Sequence, residues 1–229
     1  MDKQPSGIIE ALEEILTFYH ETGVMELDAS VLADERQLPE AAGKDDYAAL
    51  CRKIRKCRKC RLSRERTHAV PGEGSLTADL MFIGEGPGRD EDLQGKPFVG
   101  EAGKLLTRII KAMQFKREDV YITNVVKCRP PKNRNPELDE MDQCRNYLIR
   151  QIEMIQPKII VTLGNVPTKY LLNTKTGITS MRGTFQKFKN IQVMPTFHPS
   201  YLIRRKENIK EKRMVWEDMQ KVMAVLGKK

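Results

Sequence analysis

The sequence predicts an α/β protein: a three-layer α/β/α sandwich on a four-stranded parallel sheet, preceded by an N-terminal helical extension. Two observations predict it. Four short apolar, β-rich runs alternate with longer helical patterns, and the glycine-rich, histidine and paired polar residues fall just past the ends of those runs. At 229 residues and 40% hydrophobic content, the chain can bury one good core with a small appendage.

The elements follow in order. Ile8, Leu12, Ile15, Leu16 and Tyr19 recur on one face of a helix over about 8–19, and an acidic loop runs to about Asp46. Residues 1–46 are therefore expected to be an appendage and 47–229 the functional domain. From Tyr47 the pattern is helical and dense in Arg52, Lys53, Arg55, Lys56, Arg58, Lys59 and Arg61. Strands are expected at 80–83, 120–123, 159–163 and 191–194, and helices at 101–113, 137–155, 166–172 and 209–226. In such a sheet function gathers at the carboxyl ends of the strands. There the sequence places Gly84-Glu85-Gly86-Pro87-Gly88, then Asn124 with Cys128, then Gly164-Asn165, then His198-Pro199-Ser200.

Charge is unevenly shared. Residues 1–50 carry −9 and the remainder +18, out of a net +9. A body that basic suits a polyanion, nucleic acid first, because phosphate contacts release counterions; a merely soluble basic surface is the alternative. No stretch approaches the roughly 18 apolar residues of a membrane span, and no signal peptide is evident, so a cytoplasmic protein is expected. No long heptad seam calls for an obligate oligomer, and a monomer without an obligate protein partner is expected.

Of five cysteines, four stand as Cys57-x2-Cys60 and Cys128-x15-Cys144, with Cys51 spare. Thiolates in a reducing compartment bind zinc or an iron-sulfur cluster, and the open second pair favours the bulkier cluster while leaving zinc or free thiols possible. The glycine turn matches neither G-x-x-x-x-G-K-S/T nor G-x-G-x-x-G, and Glu85, Asp90, Glu91 and Asp92 would repel phosphate. Those acids suit a developing cation or a water to be positioned. His198 is followed by a rigid Pro, a small Ser, an apolar Leu202-Ile203 pair and Arg204-Arg205, a plausible wedge and clamp for a DNA groove.

Gly84-Glu85-Gly86-Pro87-Gly88-x-x-Glu91-Asp92, Gly95-x-Pro97-Phe98-Val99-Gly100, Thr123-Asn124-x-x-Lys127-Cys128-Arg129-Pro130-Pro131-x-Asn133 and His198-Pro199-Ser200-Tyr201-Leu202 together resemble the family 4 uracil-DNA glycosylases. The resemblance spans about residues 47–225 in the family's order. It implies a four-stranded parallel sandwich, excision of uracil from uracil-containing DNA, and a 4Fe-4S cluster on Cys57, Cys60, Cys128 and Cys144 that is structural or DNA-associated. It also implies roles. Phe98 would stack on a flipped uracil, Asn124 would read its O4 and N3–H edge, His198 would donate to O2 and Gly86 would lend a backbone N–H. Glu85, Glu91 and Asn133 would serve the cationic side and the water, with Glu85 also touching uracil. Ser200, Leu202 and Arg204 would meet DNA, Leu202 filling the vacated space, while Tyr201 packs beneath the loop. Arg182-Gly183 would form a turn near the site.

Related glycosylases carry an Asp where Gly86 stands. A further relative links covalently to DNA through a histidine in a basic insertion, but no histidine lies between Lys127 and Asn146, so turnover without an adduct is expected. Two other readings remain: an iron-sulfur DNA-binding module tethered through residues 1–50, and a same-fold glycosylase for hypoxanthine.

Overall fold

Leu80 and Phe82 bury in one apolar layer while Met81 and Ile83 bury in another, the alternation of a strand covered by helices on both faces. The structure, a computed structural model, describes residues 44–204 and 209–228; the expected helix at 8–19, the acidic loop up to residue 43 and Arg205 lie outside them. The chain begins with helices α1 (Lys44–Arg55) and α2 (Leu62–Glu65), then strands β1 (Glu73–Gly74) and β2 (Leu80–Gly84). Helices α3 (Arg89–Gln94) and α4 (Glu101–Ala112) lead to β3 (Tyr121–Asn124), and α5 (Leu138–Ile155) leads to β4 (Ile159–Leu163). Helices α6 (Asn165–Leu172) and α7 (Ile178–Met181) precede β5 (Gln186–Phe188) and β6 (Ile191–Thr196), and α8 (Pro199–Ile203) and α9 (Ile209–Val225) close the chain.

The sheet order is β1-β3-β2-β4-β6-β5. Its four inner strands are the expected ones and pair in parallel, whereas β1 and β5 add antiparallel edges. Two residues of β1 and the polar Gln186-Lys187-Phe188 are too short and too little apolar to announce themselves in sequence. Leu106 and Ile110 of α4 and Val215, Met219 and Val222 of α9 cover one face; Leu148 and Ile152 of α5 and Leu171 of α6 cover the other. All the described residues belong to one compact unit spanning 42–229. Among them no helix is long and apolar enough to cross a membrane.

Topology places the site. The crossover from β2 leads to its neighbour β3, and the next returns to β4 on the other side of β2. Chain connections that diverge on either side of one strand leave a crevice at its carboxyl end. Register carries Gly84 level with Asn124 and Leu163 level with Thr196, so the turns after all four strands open onto one rim.

A second anchor fastens the cysteine-bearing segments. Glu140 is fully buried at the start of α5 and accepts hydrogen bonds from Arg134 Nη2 at 2.6 Å, Arg61 Nε at 2.7 Å and the Glu137 backbone at 2.9 Å. These donors, Arg134 first, hold its carboxyl down to about 2. The ion pairs join the chain beside Cys60, the turn after Cys128 and the helix that carries Cys144.

Candidate active site

Gly84, the last residue of β2, is the floor. A Cβ there would lie 2.4 Å from Asn124 Oδ1 and 2.6 Å from the Phe98 ring, so only glycine lets both side chains close over the strand end. Asn124, 2% exposed, comes from the end of β3. Its Oδ1 is the one buried side-chain oxygen or nitrogen among the described residues without a hydrogen-bond partner. A buried amide oxygen without a protein partner costs about 1–3 kcal/mol, a cost that a ligand donor would lift.

Phe98 sits beside it, 7% exposed, with φ 50°, a backbone region bulky residues avoid. Three contacts hold it there. Glu91 Oε1 accepts from the Val99 and Gly100 backbone N–H groups at 2.8 and 2.9 Å while Oε2 caps α3 through the Gly88 N–H at 3.1 Å. Arg117 Nη2 donates to the Pro97 carbonyl at 2.6 Å. Gly103 in α4 lets the helix ride against the loop, since a Cβ there would fall 2.0 Å from the Phe98 carbonyl carbon and oxygen. Gly103→Ala must therefore move the Phe98 loop or the helix. We expect about a hundredfold loss of catalytic rate with near-normal DNA affinity, measured by single-turnover excision and gel shift.

His198 enters from the far side, its ring centroid 5.8 Å from that of Phe98 at 32°. It caps α8: the Ser200 backbone N–H donates to Nδ1 at 3.0 Å, and Ser200 Oγ lies 2.7 Å from the same nitrogen. A backbone N–H can only donate, so Nδ1 is unprotonated and the neutral ring carries its hydrogen on Nε2. Burial first, then the Arg204 charge, push the imidazolium pKa down to about 4. His198 is thus a neutral Nε2–H donor throughout the physiological range. An imidazole that had to gain or lose a proton would put an inflection near pH 6.5 in the excision profile. We expect none from this group between pH 5.5 and 8, and stability lost as pH falls from about 6.5 towards 4, because the unfolded chain binds the proton first.

Glu85 follows Gly84 and is partly buried; its carboxylate takes no hydrogen bond from the described residues. Burial raises its pKa and Arg204 opposes the rise. A Cβ on Gly86 would meet Val126 Cγ2 at 2.8 Å, which explains the glycine: the Asp of related glycosylases would have to displace Val126.

Several expectations need correction. Glu91 does not offer a free carboxylate, since both oxygens are taken up by backbone N–H groups. Asp92 likewise turns inward, accepting from the Thr67 and His68 backbones. Asn133 is exposed, with φ 55°, and its Oδ1 accepts from Arg129 Nε at 2.7 Å. Leu202 is 1% exposed and packs in the core, whereas Tyr201 and Ile203 are 40% and 41% exposed. In a five-residue helix lying on α4, one phase faces inward, and it is the phase of Leu202. Tyr201 also stacks against Phe197 at 5.3 Å. Arg182 supports the strand end rather than the rim, pairing with buried Asp218, which accepts from Thr196 at 2.6 Å.

The four paired cysteines line one narrow cleft with Arg66, Lys127 and Tyr147. Arg66 Nη1 donates to Cys128 Sγ at 2.8 Å, and the Lys127 backbone N–H donates to Cys144 Sγ at 3.4 Å. Burial pushes the Cys128 thiol up to about 11 and raises Cys60 and Cys144 as well. Cys51 is buried elsewhere, in α1. Sequence reasoning had no signal for Gly103, Arg117 or Glu140, whose tasks are set by contacts far along the chain.

The profile of the Uracil DNA glycosylase superfamily matches residues 71–220. The chain is 48% identical to the Type-4 uracil-DNA glycosylase of Saccharolobus solfataricus over 81% of its own length and 88% of that protein. It is 45% identical to the Type-4 enzyme of Thermotoga maritima over 77% and 92%, and 42% identical to that of Archaeoglobus fulgidus over 79% and 93%. With four strand ends opening onto one rim and likeness along most of its length, the chain belongs to the uracil-DNA glycosylase superfamily, among its type-4 members.

Proposed function

We propose that the protein is a monofunctional uracil-DNA glycosylase that flips uracil from DNA and hydrolyses its N-glycosidic bond, leaving an abasic site for repair. The observation that carries this reading is the buried, unpaired Asn124 Oδ1, which meets the Phe98 ring over Gly84, with the neutral His198 ring 5.8 Å from that of Phe98. Uracil offers N3–H to an acceptor and O4 to a donor, both of which an asparagine amide supplies, and cytosine reverses that pattern. Phe98 stacks on the extruded base, and extrusion costs a few kcal/mol of unstacking. As the bond breaks, negative charge grows on the departing uracil and positive charge on the sugar. His198 Nε2–H donates to uracil O2 and the Gly86 N–H adds to the pocket. Glu85 takes the cationic side and the water, Glu91 holds the Phe98 loop, and Asn133 borders the mouth.

DNA is gripped by Ser200, Arg204 and the basic run from Arg52 to Arg66, with Tyr201 and Ile203 presenting apolar surface beside the buried Leu202. We take the enzyme to act as a monomer, with residues 1–46 as an appendage to the catalytic domain.

Cys57, Cys60, Cys128 and Cys144 would hold a 4Fe-4S cluster. The four cysteines line one cleft, where Arg66 Nη1 donates to Cys128 Sγ and the Lys127 backbone N–H to Cys144 Sγ, donors that suit thiolates of a metal-sulfur group, although among the described residues no three ligating side chains are grouped closely enough to hold a single metal ion. When bound, the cluster supplies a tie between distant segments. A brown protein with broad visible absorbance is expected; a colourless one with stoichiometric zinc would overturn this.

The activity test is incubation with a uracil-containing oligonucleotide followed by alkali. Cleavage at uracil only after alkali supports the proposal. Binding without an alkali-labile site would favour a DNA-binding module, and cleavage confined to hypoxanthine a different base.

A further inference from the structure

Lys127 is 1% exposed, and none of the roles above uses its side chain. Its Nζ lies 2.6 Å from Thr123 Oγ1, 2.7 Å from the Asn124 carbonyl and 2.7 Å from Gln151 Oε1. Two of these partners are carbonyl oxygens, which only accept. Thr123 commits its own hydrogen elsewhere, with Pro71 O at 2.9 Å, so all three bonds run outward from the lysine. Three donors on one nitrogen are an ammonium's complement, and these three acceptors favour the charged form against burial, which lowers the Lys127 pKa to about 7. Gln151 is itself fastened, its Nε2 donating to Pro71 O at 2.8 Å and to Tyr121 Oη at 2.9 Å. The ammonium is therefore held by α5 and β3 at once.

The other end of the residue faces the cysteines, where its backbone N–H reaches Cys144 Sγ. Asn124 has a matching need. Its side-chain oxygen has no hydrogen-bond partner of its own and packs over Gly84 beside Phe98, while its main chain, where β3 ends, is held by Lys127 at 2.7 Å, so the lysine bears on the amide through the backbone. We propose that Lys127 is a positioning residue for base recognition: its buried ammonium grips the Asn124 carbonyl, aims the amide and couples that aim to the cysteine-bearing loop. The inference rests on Asn124 reading uracil as proposed above.

The test is a double-mutant cycle in the holoprotein between Lys127→Met and Asn124→Ala. Supporting partners of this kind typically contribute about 10- to 100-fold in activity. Lys127→Met is expected to lower the single-turnover excision rate by that amount, with DNA affinity and the visible absorbance of the cysteine site retained. In the Asn124→Ala background it is expected to cost nothing further, because the group it aims is gone. Losses that multiply, or absorbance lost in step with activity, would overturn the role. If Lys127→Met fails to fold, Gln151→Met removes one acceptor of the ammonium and enters the same cycle, where non-additive losses support the role and multiplied losses overturn it. An Asn124→Ala enzyme that excises uracil at full rate would instead sink the reading of Asn124, a result distinct from multiplied losses.

Discussion

Replacing His198 by alanine lowers the rate of uracil excision about 10²- to 10³-fold, the usual cost of removing one preorganised donor to a developing anion. Duplex binding stays close to normal, because the ring caps a surface helix beside the pocket and carries no charge to phosphate. Single-turnover kinetics alongside gel-shift affinities decide the matter. Equal losses in both would mean that His198 holds up α8 and not the transition state. His198→Gln offers a sharper comparison, since an amide can still donate; partial recovery is expected only if donation, and not proton transfer, is the task.

Asn124→Ala is the second large effect. It removes the acceptor and donor proposed to face the base, and sites built to pair with a polar edge lose roughly 10²-fold or more when that pairing goes. Its signature is a fall in the preference for uracil over cytosine, not merely in rate. The variant should also be slightly more stable than the parent in thermal melts, because a buried oxygen with no protein partner is destabilising until a ligand arrives. Lower stability together with unchanged base preference would assign Asn124 to the fold.

Much of the fold was legible because its strands are unusually plain. Leu80–Gly84, Tyr121–Asn124 and Ile159–Leu163 are buried along their whole length, so each reads as a mostly apolar, β-rich run, interrupted only by Thr123 and Thr162 and ended or followed by glycine or asparagine. The same logic hid β1 and β5, which sit at the edges and need no apolar pattern. At the candidate site, Asn124 and His198 were legible because they stand at strand ends, and Phe98 through the glycine-flanked motif that carries the family resemblance; the fold brings Phe98 against both Asn124 and His198. Motif spacing misread Leu202 and Tyr201, since which phase of a five-residue helix faces inward depends on α4, a hundred residues away in sequence. Glu91 was misread for a related reason. A carboxylate's chemistry is visible in sequence, but the three backbone hydrogens that occupy it are not. Lys127 appeared only as a motif letter, and its meaning came from Thr123, Gln151 and the Asn124 carbonyl.

The placement of the pocket on four separate strand ends sets an order of assembly. All four paired cysteines are synthesised by residue 144, whereas β4, β6 and His198 follow. A growing chain thus owns every thiol of the cysteine site before the central sheet can be completed, and long-range parallel pairing is among the slower events of folding. His198, the donor proposed for the departing base, is among the last residues to arrive. A nascent or truncated chain ending before residue 198 therefore carries all four paired cysteines without that donor, and the proposed capacity to release a base marks the finished molecule.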